Sequence, residues 1–355
     1  MSDSIVSDWS SDQYTSETLR SVVREELAGK VSKDDTSVFK RLYVDQVHDG
    51  LVEACFKFSA AQNLELFEEI ESIVASASMP QQSRGLFYER TMRERWEIEM
   101  YPPLQHIFNW IVDFSHPSEP NATRNITIAP HRRLKGEEYT TGFPKVSPDG
   151  IGSIVAECDS WIDVDWFIVV RASEDRGLAK QDTPISDIVC QAADDARLHL
   201  SSRPFQLFSV ALLIFGPKFM VGIFDRDGVS LSPTSDFCDG GEGFKTFIKI
   251  VRRLVSPLLS DFDLGCDPTA TPLRDSPQLH AAVRDLAISL GASPDVLPYL
   301  VLCPKECTTM TDSVSPSTYI QDGWVTFGPP IWVSLSLIGR GTYIWRVIQV
   351  TMESG

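Results

Sequence analysis

In the stretch Ile338-Gly-Arg-Gly-Thr-Tyr-Ile-Trp-Arg-Val, two glycines stand two residues apart. On a hairpin, such glycines let backbone amides approach the phosphates of a nucleotide without interference from Cβ. Gly339, Arg340, Gly341 and Thr342 are therefore the candidate cofactor-binding residues. The third position of a full Gly-x-Gly-x-x-Gly is Ile344, so on residues alone the segment also suits an ordinary turn. A second constellation is acidic. Carboxylates on neighbouring strands, with a lysine beside them, can hold a divalent metal that activates water against a phosphodiester. Pro148-Asp149 supplies the first element, but the second falls at Val169-Val170-Arg171, where valine replaces the carboxylate and arginine the lysine. A valine cannot bind magnesium. Asp149 is thus a vestigial metal candidate only, and no metal site is expected.

Neighbouring acids offer little more. Glu157, Asp159, Asp163 and Asp165 could relocate the carboxylate, yet four acids in a loop around Trp161 suit a solvated turn. Cys303 and Cys307 lie four apart without a second pair of zinc ligands. The six histidines are dispersed, and neither Gly-x-Ser-x-Gly nor His-Glu-x-x-His occurs. No catalytic residue is assigned. Trp324, Trp332 and Trp345 read as packing residues of late strands.

The elements that must position these residues change period along the chain. From Thr15 to about Asn63, Leu19, Val22, Val23 and Leu27, then Phe39, Leu42, Val44, Val47 and Leu51, recur at helical spacing. Leu64–Ser76 and Arg84–Ile111 continue it, the latter carrying Arg84, Arg90, Arg93 and Arg95 among glutamates as a salt-bridged, solvated face. His116–Gly150 is rich in Pro, Asn, Thr and Gly and has room for one strand. Short β-branched and aromatic runs then begin a sheet at Ile151–Ala156 and Val164–Ala172. Asp182-Thr183-Pro184 starts a helix that Arg203-Pro204 ends. Leu207–Phe215, Phe219–Phe224 and Val229–Leu231 form a meander, on which helices at Gly243–Leu259 and Gln278–Leu290 are expected to pack. Tyr299–Leu302 gives a short strand, Thr308–Thr318 a link, and Trp324–Val350 aromatic strands.

These signals predict a mixed α/β (α+β) chain: a helical region over 1–115, a central α/β domain over 116–305, a linker over 306–322 and a β-hairpin over 323–355. The central sheet is expected to be mixed and flanked by helices. Helix, strands, helix, strand across Arg90–Phe215 resembles the order of the restriction-endonuclease-like core, in which Asp149 and Arg171 would lie side by side on adjacent strands.

Six segments together resemble the fungal-type protein kinases. They are Leu19-Arg-Ser-Val-Val-Arg-Glu-Glu-Leu-Ala-Gly, Phe39-Lys-Arg-Leu-Tyr-Val, Tyr101-Pro-Pro-Leu with Ile107-Phe-Asn, Phe224-Asp-Arg-Asp-Gly-Val, Leu264-Gly-Cys-Asp-Pro-Thr, and the glycine segment from Ile338. The resemblance implies that the glycine segment opens a kinase amino lobe. It also implies ATP and magnesium as ligands of a full-length relative, and serine/threonine kinase activity at the level of the gene. A working kinase further needs a strand lysine, a helix glutamate, a catalytic-loop Asp with Asn, and Asp-Phe-Gly. No His-Arg-Asp or Asp-Phe-Gly occurs in these 355 residues. The expectation is a truncated kinase relative: an accessory region that needs no cofactor of its own and takes as partner the missing kinase lobe or another protein.

Composition narrows the partners. Asp and Glu total 49 against 32 Lys and Arg, a formal charge of -17, which repels polyanions and makes nucleic acid or an anionic membrane an unlikely partner. The most apolar stretch, Phe208–Phe224, is broken at Gly216-Pro217-Lys218 and is too short in each half to cross a bilayer as a helix. Met1–Ser11 is polar and acidic, unlike a signal peptide, and the seven scattered cysteines suit reduced thiols. An intracellular location, cytoplasmic or nuclear, is expected.

Overall fold

The computed structural model of the protein describes residues 16–60, 64–78, 86–117, 119–128, 134–136, 147–177, 185–273, 276–302, 321–334, 337–339 and 343–352. The first third is helical. The order is α1 (Ser16–Glu26), β1 (Val31–Ser32), α2 (Ser37–Arg41), α3 (Asp49–Ala60), α4 (Leu64–Ser78) and α5 (Leu86–Asp113). A mixed α/β stretch follows with β2 (Asn125–Ile128), β3 (Gly150–Ser153), β4 (Trp166–Arg171), α6 (Asp187–Ser202), β5 (Phe208–Phe215), β6 (Lys218–Asp225), β7 (Val229–Leu231), β8 (Ser235–Asp236) and α7 (Glu242–Val255). The last elements are β9 (Ala270–Pro272), α8 (Pro277–Ser289), β10 (Tyr299–Leu302), β11 (Gln321–Val333) and β12 (Tyr343–Met352).

The central sheet runs β1-β7-β6-β5-β4-β3-β2, with β8 on the end of β6. Strands β2, β3 and β4 are antiparallel, and β4 and β5 are parallel across the α6 crossover. Over α5 to β5 this is the helix, strands, helix, strand order that the sequence predicts. Both faces are covered, which explains why Trp166–Val170 of β4 and Val210–Phe215 of β5 read as apolar runs rather than as alternating ones. Alternation nonetheless sorts their side chains. Trp166, Ile168, Val170, Val210, Leu212 and Ile214 join the core beneath α2–α5 and α7. Phe167, Val169, Ala211, Leu213 and Phe215 join the core beneath α1 and α6.

Several expectations change. The N-terminal helical stretch contains β1, which pairs in parallel with β7 at Val31 and Val229. Two residues are too few for a period to register. At the neighbouring Gly228 a Cβ would stand 2.3 Å from the Lys30 carbonyl oxygen, so this contact requires glycine. The expected helix start at Asp182–Pro184 lies outside the described residues, and α6 opens at Asp187 after Ser186. Helix α8 does not pack on the central sheet. With β9 and β10 it joins β11 and β12 in a separate four-stranded antiparallel sheet, ordered β12-β11-β10-β9. Its core is Leu273, Val283, Ala287, Leu300, Val325 and Phe327. Residues 270–302, grouped in sequence with the central domain, thus pair with the C-terminal strands. Helices α2 to α5 likewise share one core with the sheet, and α1 packs on its other face. The linker at Thr308–Thr318 lies outside the described residues.

Candidate functional site

Asp149 and Arg171 do lie side by side. Gly150 pairs with Ile168 across β3 and β4, and the Asp149 amide donates to the Ile168 carbonyl at 3.0 Å. That register brings the Asp149 carboxylate to the end of β4. Its Oδ2 accepts from the Val170 amide at 2.7 Å and stands 3.7 Å from Arg171 Nη1. Its Oδ1 accepts from the Tyr101 hydroxyl at 2.7 Å. Glu97, one turn before Tyr101 on α5, places Oε2 3.3 Å from the same Arg171 nitrogen. The Arg171, Glu97 and Asp149 side chains are only 6, 13 and 14% exposed.

In so little water the charges regulate one another. Burial opposes the Arg171 charge, but Glu97 and Asp149 outweigh it and hold the guanidinium above its usual range. Burial, then the Asp149 charge, pushes the Tyr101 hydroxyl up, so it remains a donor. Asp195 on α6 is fully buried, and neither carboxylate oxygen has a hydrogen-bond partner. Burial raises its carboxyl well above the ordinary range, with Asp149 and Asp194 adding and Arg171 opposing. Val169, where a ligating carboxylate would stand, is buried among the apolar side chains beneath α6. Among the described residues no three His, Cys, Asp or Glu side chains are grouped to hold a metal ion. What the arrangement can do is neutralise buried charge and lock α5 to the β3–β4 edge.

A second polar knot corrects the solvated-turn expectation. Glu157 and Asp159 are exposed and Asp163 half-buried, but Asp165 is buried. Its carboxylate meets Arg124 Nε at 3.2 Å and Arg203 Nη1 at 3.5 Å. Beside it, His199 Nε2 donates to the Val164 carbonyl at 2.7 Å, which leaves Nδ1 to accept from the Ser209 hydroxyl at 2.8 Å. Burial and the neighbouring Arg203 charge lower the His199 pKa to about 3 from an ordinary 6.5. The imidazole is neutral in the fold and binds a proton when unfolded below pH 6.5, so its contribution is present above 6.5 and fades as pH falls toward 3. Between pH 6.5 and 4.5, urea unfolding should show wild type losing about 2 to 3 kcal/mol relative to His199→Gln. An unchanged difference between the two proteins would contradict the assignment.

The glycine segment occupies a different place. β11 and β12 form a hairpin whose register closes at Val333 and Tyr343. Arg340, Gly341 and Thr342 lie outside the described residues. Gly339 is exposed, with φ +101°, and its amide donates to the Arg226 carbonyl at 2.8 Å. Leu337 is fully buried in the core beneath α1 and α6, with Ile338 packed against it. The Leu337 amide donates to Glu26 Oε2 at 3.3 Å, the Ser201 hydroxyl to the Ser334 carbonyl at 3.3 Å, and the Tyr343 hydroxyl to the Leu200 carbonyl. In this arrangement the Gly339 amide is engaged by the Arg226 carbonyl. Ile344 is 47% exposed, and Trp324 and Trp345 are half-buried.

Glu97, Arg124 and His199 were not singled out in sequence, and Tyr101 only as the start of a family-like segment. For Glu97 and Tyr101 a signal exists: they stand four apart on α5, on the stripe that carries the buried Met100 and Leu104. Cys303 and Cys307 lie outside the described residues, and five other cysteines are free thiols. Among the described residues no helix is long and apolar enough to cross a membrane.

No curated protein and no solved structure matches the chain. A family model does: residues 156–353, more than half of the chain, match that of the fungal protein kinase. The stretch takes in Arg171, all strands from β4 to β12 and the glycine segment. The chain belongs to the fungal protein kinase family.

Proposed function

We propose that these 355 residues form an accessory, regulatory region of a fungal-type protein kinase and do not themselves transfer a phosphoryl group. One observation carries the reading: the family match spans strands of a mixed α/β sheet as well as the glycine hairpin, so most of the matched stretch lies outside a nucleotide loop. The absence of His-Arg-Asp and Asp-Phe-Gly from the sequence supports it, since positioning and charge stabilisation in phosphoryl transfer depend on those groups. ATP and magnesium would be ligands of a complete kinase, and the partner of this region is a kinase lobe or another protein. The location is intracellular, in cytoplasm or nucleus. Incubation of the purified chain with γ-labelled Mg·ATP and generic protein substrates should give no transfer above a heat-killed control. Transfer by the wild-type chain would overturn the proposal.

A second reading, a metal-dependent nuclease, has in its favour the adjacency of Asp149 and Arg171 on neighbouring strands. Against it, the Asp149 carboxylate already serves Tyr101, Val170 and Arg171. With DNA or RNA and magnesium or manganese, wild type and Asp149→Ala should show the same background cleavage. Cleavage that Asp149→Ala abolishes would favour the nuclease.

A further inference from the structure

We propose that a cavity at the amino end of α6 binds a small carboxylic acid with a short apolar body, the carboxylate against the helix end and the body against the sheet.

Topology places the cavity where ligands of open α/β sheets bind. β1 runs parallel to β7, and β7, through the antiparallel β6, runs parallel to β5 and β4. Their carboxyl ends therefore lie on one side of the sheet, and α6, the crossover from β4 to β5, turns its amino end to that side. The cavity there measures about 230 Å³, the volume of roughly eight waters in the liquid and less than a drug-sized ligand needs. Ile185, Val189, Met220 and Leu231, all buried, form its apolar wall. Lys33, just past β1, and Thr234 are exposed at its mouth.

Ser186 makes the helix end a receptor and not only a dipole. It is the N-cap residue of α6 and lines the cavity, only 6% exposed, yet its side chain does not cap the helix and its Oγ has no hydrogen-bond partner. A buried hydroxyl left unpaired is costly and uncommon, and an acceptor on a ligand removes that cost. The Cys190 amide donates to the Ser186 carbonyl at 3.1 Å as the first bond of the helical ladder, so the amides of the preceding turn have no acceptor inside the helix. They carry the positive end of the helix dipole. A carboxylate satisfies hydroxyl and amides together, and Lys33 adds an opposite charge from the mouth. Two acids stand close by. Asp187, in the first turn, is paired with Arg24 of α1 at 2.5 Å, and Asp34 is exposed at the mouth, where water weakens its field. Inorganic phosphate would leave the apolar wall wet, whereas an aliphatic body displaces that water.

The test is a titration of the methyl-labelled full chain, followed by NMR, with isocaproate, its neutral analogue isocaproamide and inorganic phosphate as probes. Isocaproate should shift the Met220 and Leu231 methyl signals saturably and bind about tenfold tighter than the amide, since only the acid pairs with the helix end. Phosphate should shift neither methyl. Ser186→Ala should weaken isocaproate about tenfold, and Lys33→Gln, an exposed change, roughly threefold. Without ligand, Ser186→Ala should melt no lower than wild type, because it loses an unpaired hydroxyl and not a cap. A clear fall in that midpoint would make Ser186 a structural cap and overturn the site. So would the absence of a saturable shift up to concentrations on the order of 10 mM, equal affinity for acid and amide, or equal affinity in wild type and both variants. Methyl shifts from phosphate as large as those from isocaproate would reduce the cavity to a place for an adventitious ion only.

Discussion

Arg124→Ala is expected to lower stability by about 3 to 5 kcal/mol in urea unfolding at pH 7, the loss typical of stranding a buried charge. Arg124 is 3% exposed, and its guanidinium reaches three parts of the chain. Nε meets Asp165 at 3.2 Å, Nη1 donates to the Ser256 carbonyl at 3.0 Å beyond α7, and Nη2 meets Asp261 at 3.2 Å. Asp261 is 56% exposed and contributes little. The cost comes from Asp165, which would keep only Arg203 at 3.5 Å as its cation. Burial already raises the Asp165 carboxyl against the pull of Arg203 and Arg124, so removing one arginine drives it further toward the neutral acid. Arg124→Ala combined with Asp165→Asn should therefore lose less than the two single changes summed. Strict additivity, or a single-variant loss under about 1 kcal/mol, would show that the ions are hydrated rather than paired.

Arg171→Ala should cost a similar amount, about 3 to 5 kcal/mol, with a different route to rescue. After truncation Asp149 still accepts from Tyr101 and from the Val170 amide, so its charge stays solvated by donors. Glu97, 13% exposed, loses the guanidinium that stands 3.3 Å from its Oε2. Adding Glu97→Gln to Arg171→Ala should recover part of the loss, whereas adding Asp149→Asn should recover little, because the amide cannot reproduce the acceptance of both donors. The reverse pattern would place the main ion pair at Asp149. Chemical unfolding of the single and double variants decides between them.

Much of the architecture was legible for one physical reason: the elements that were seen carry their signal locally. β5 is buried on both faces, and the six consecutive apolar residues Val210–Phe215 announce it. The helical spacing of Phe244, Phe247, Ile248, Val251 and Leu254 marks α7 as plainly. What escaped depends on partners distant in sequence. β10 is a short strand whose sheet is chosen by pairing with residues 323–325, β9 pairs with β10 in turn, and no local period records either choice. Asp149 and Arg171 were legible as a pair because the resemblance to the restriction-endonuclease-like core implied their adjacency. Their supporting shell was less so: Glu97 and Tyr101 share the helical stripe of Met100 and Leu104, but nothing local says which strands that stripe meets. Arg124 sits in a Pro, Asn and Thr-rich connector, where nothing in the sequence distinguishes a buried arginine from a solvated one.

The Asp149 cluster is the one arrangement in the described residues that resembles a catalytic centre, and its role as a self-neutralised structural anchor can be read in a single experiment. Thermal unfolding of wild type and Asp149→Asn should be followed with millimolar magnesium or manganese, since any ion bound only by the folded state raises the midpoint with its concentration. The expected result is no metal-dependent rise in wild type, with Asp149→Asn unfolding at a lower midpoint that is equally indifferent to metal. A midpoint that climbs with manganese in wild type and not in Asp149→Asn would contradict it, and would make Asp149 a ligand rather than a counterion.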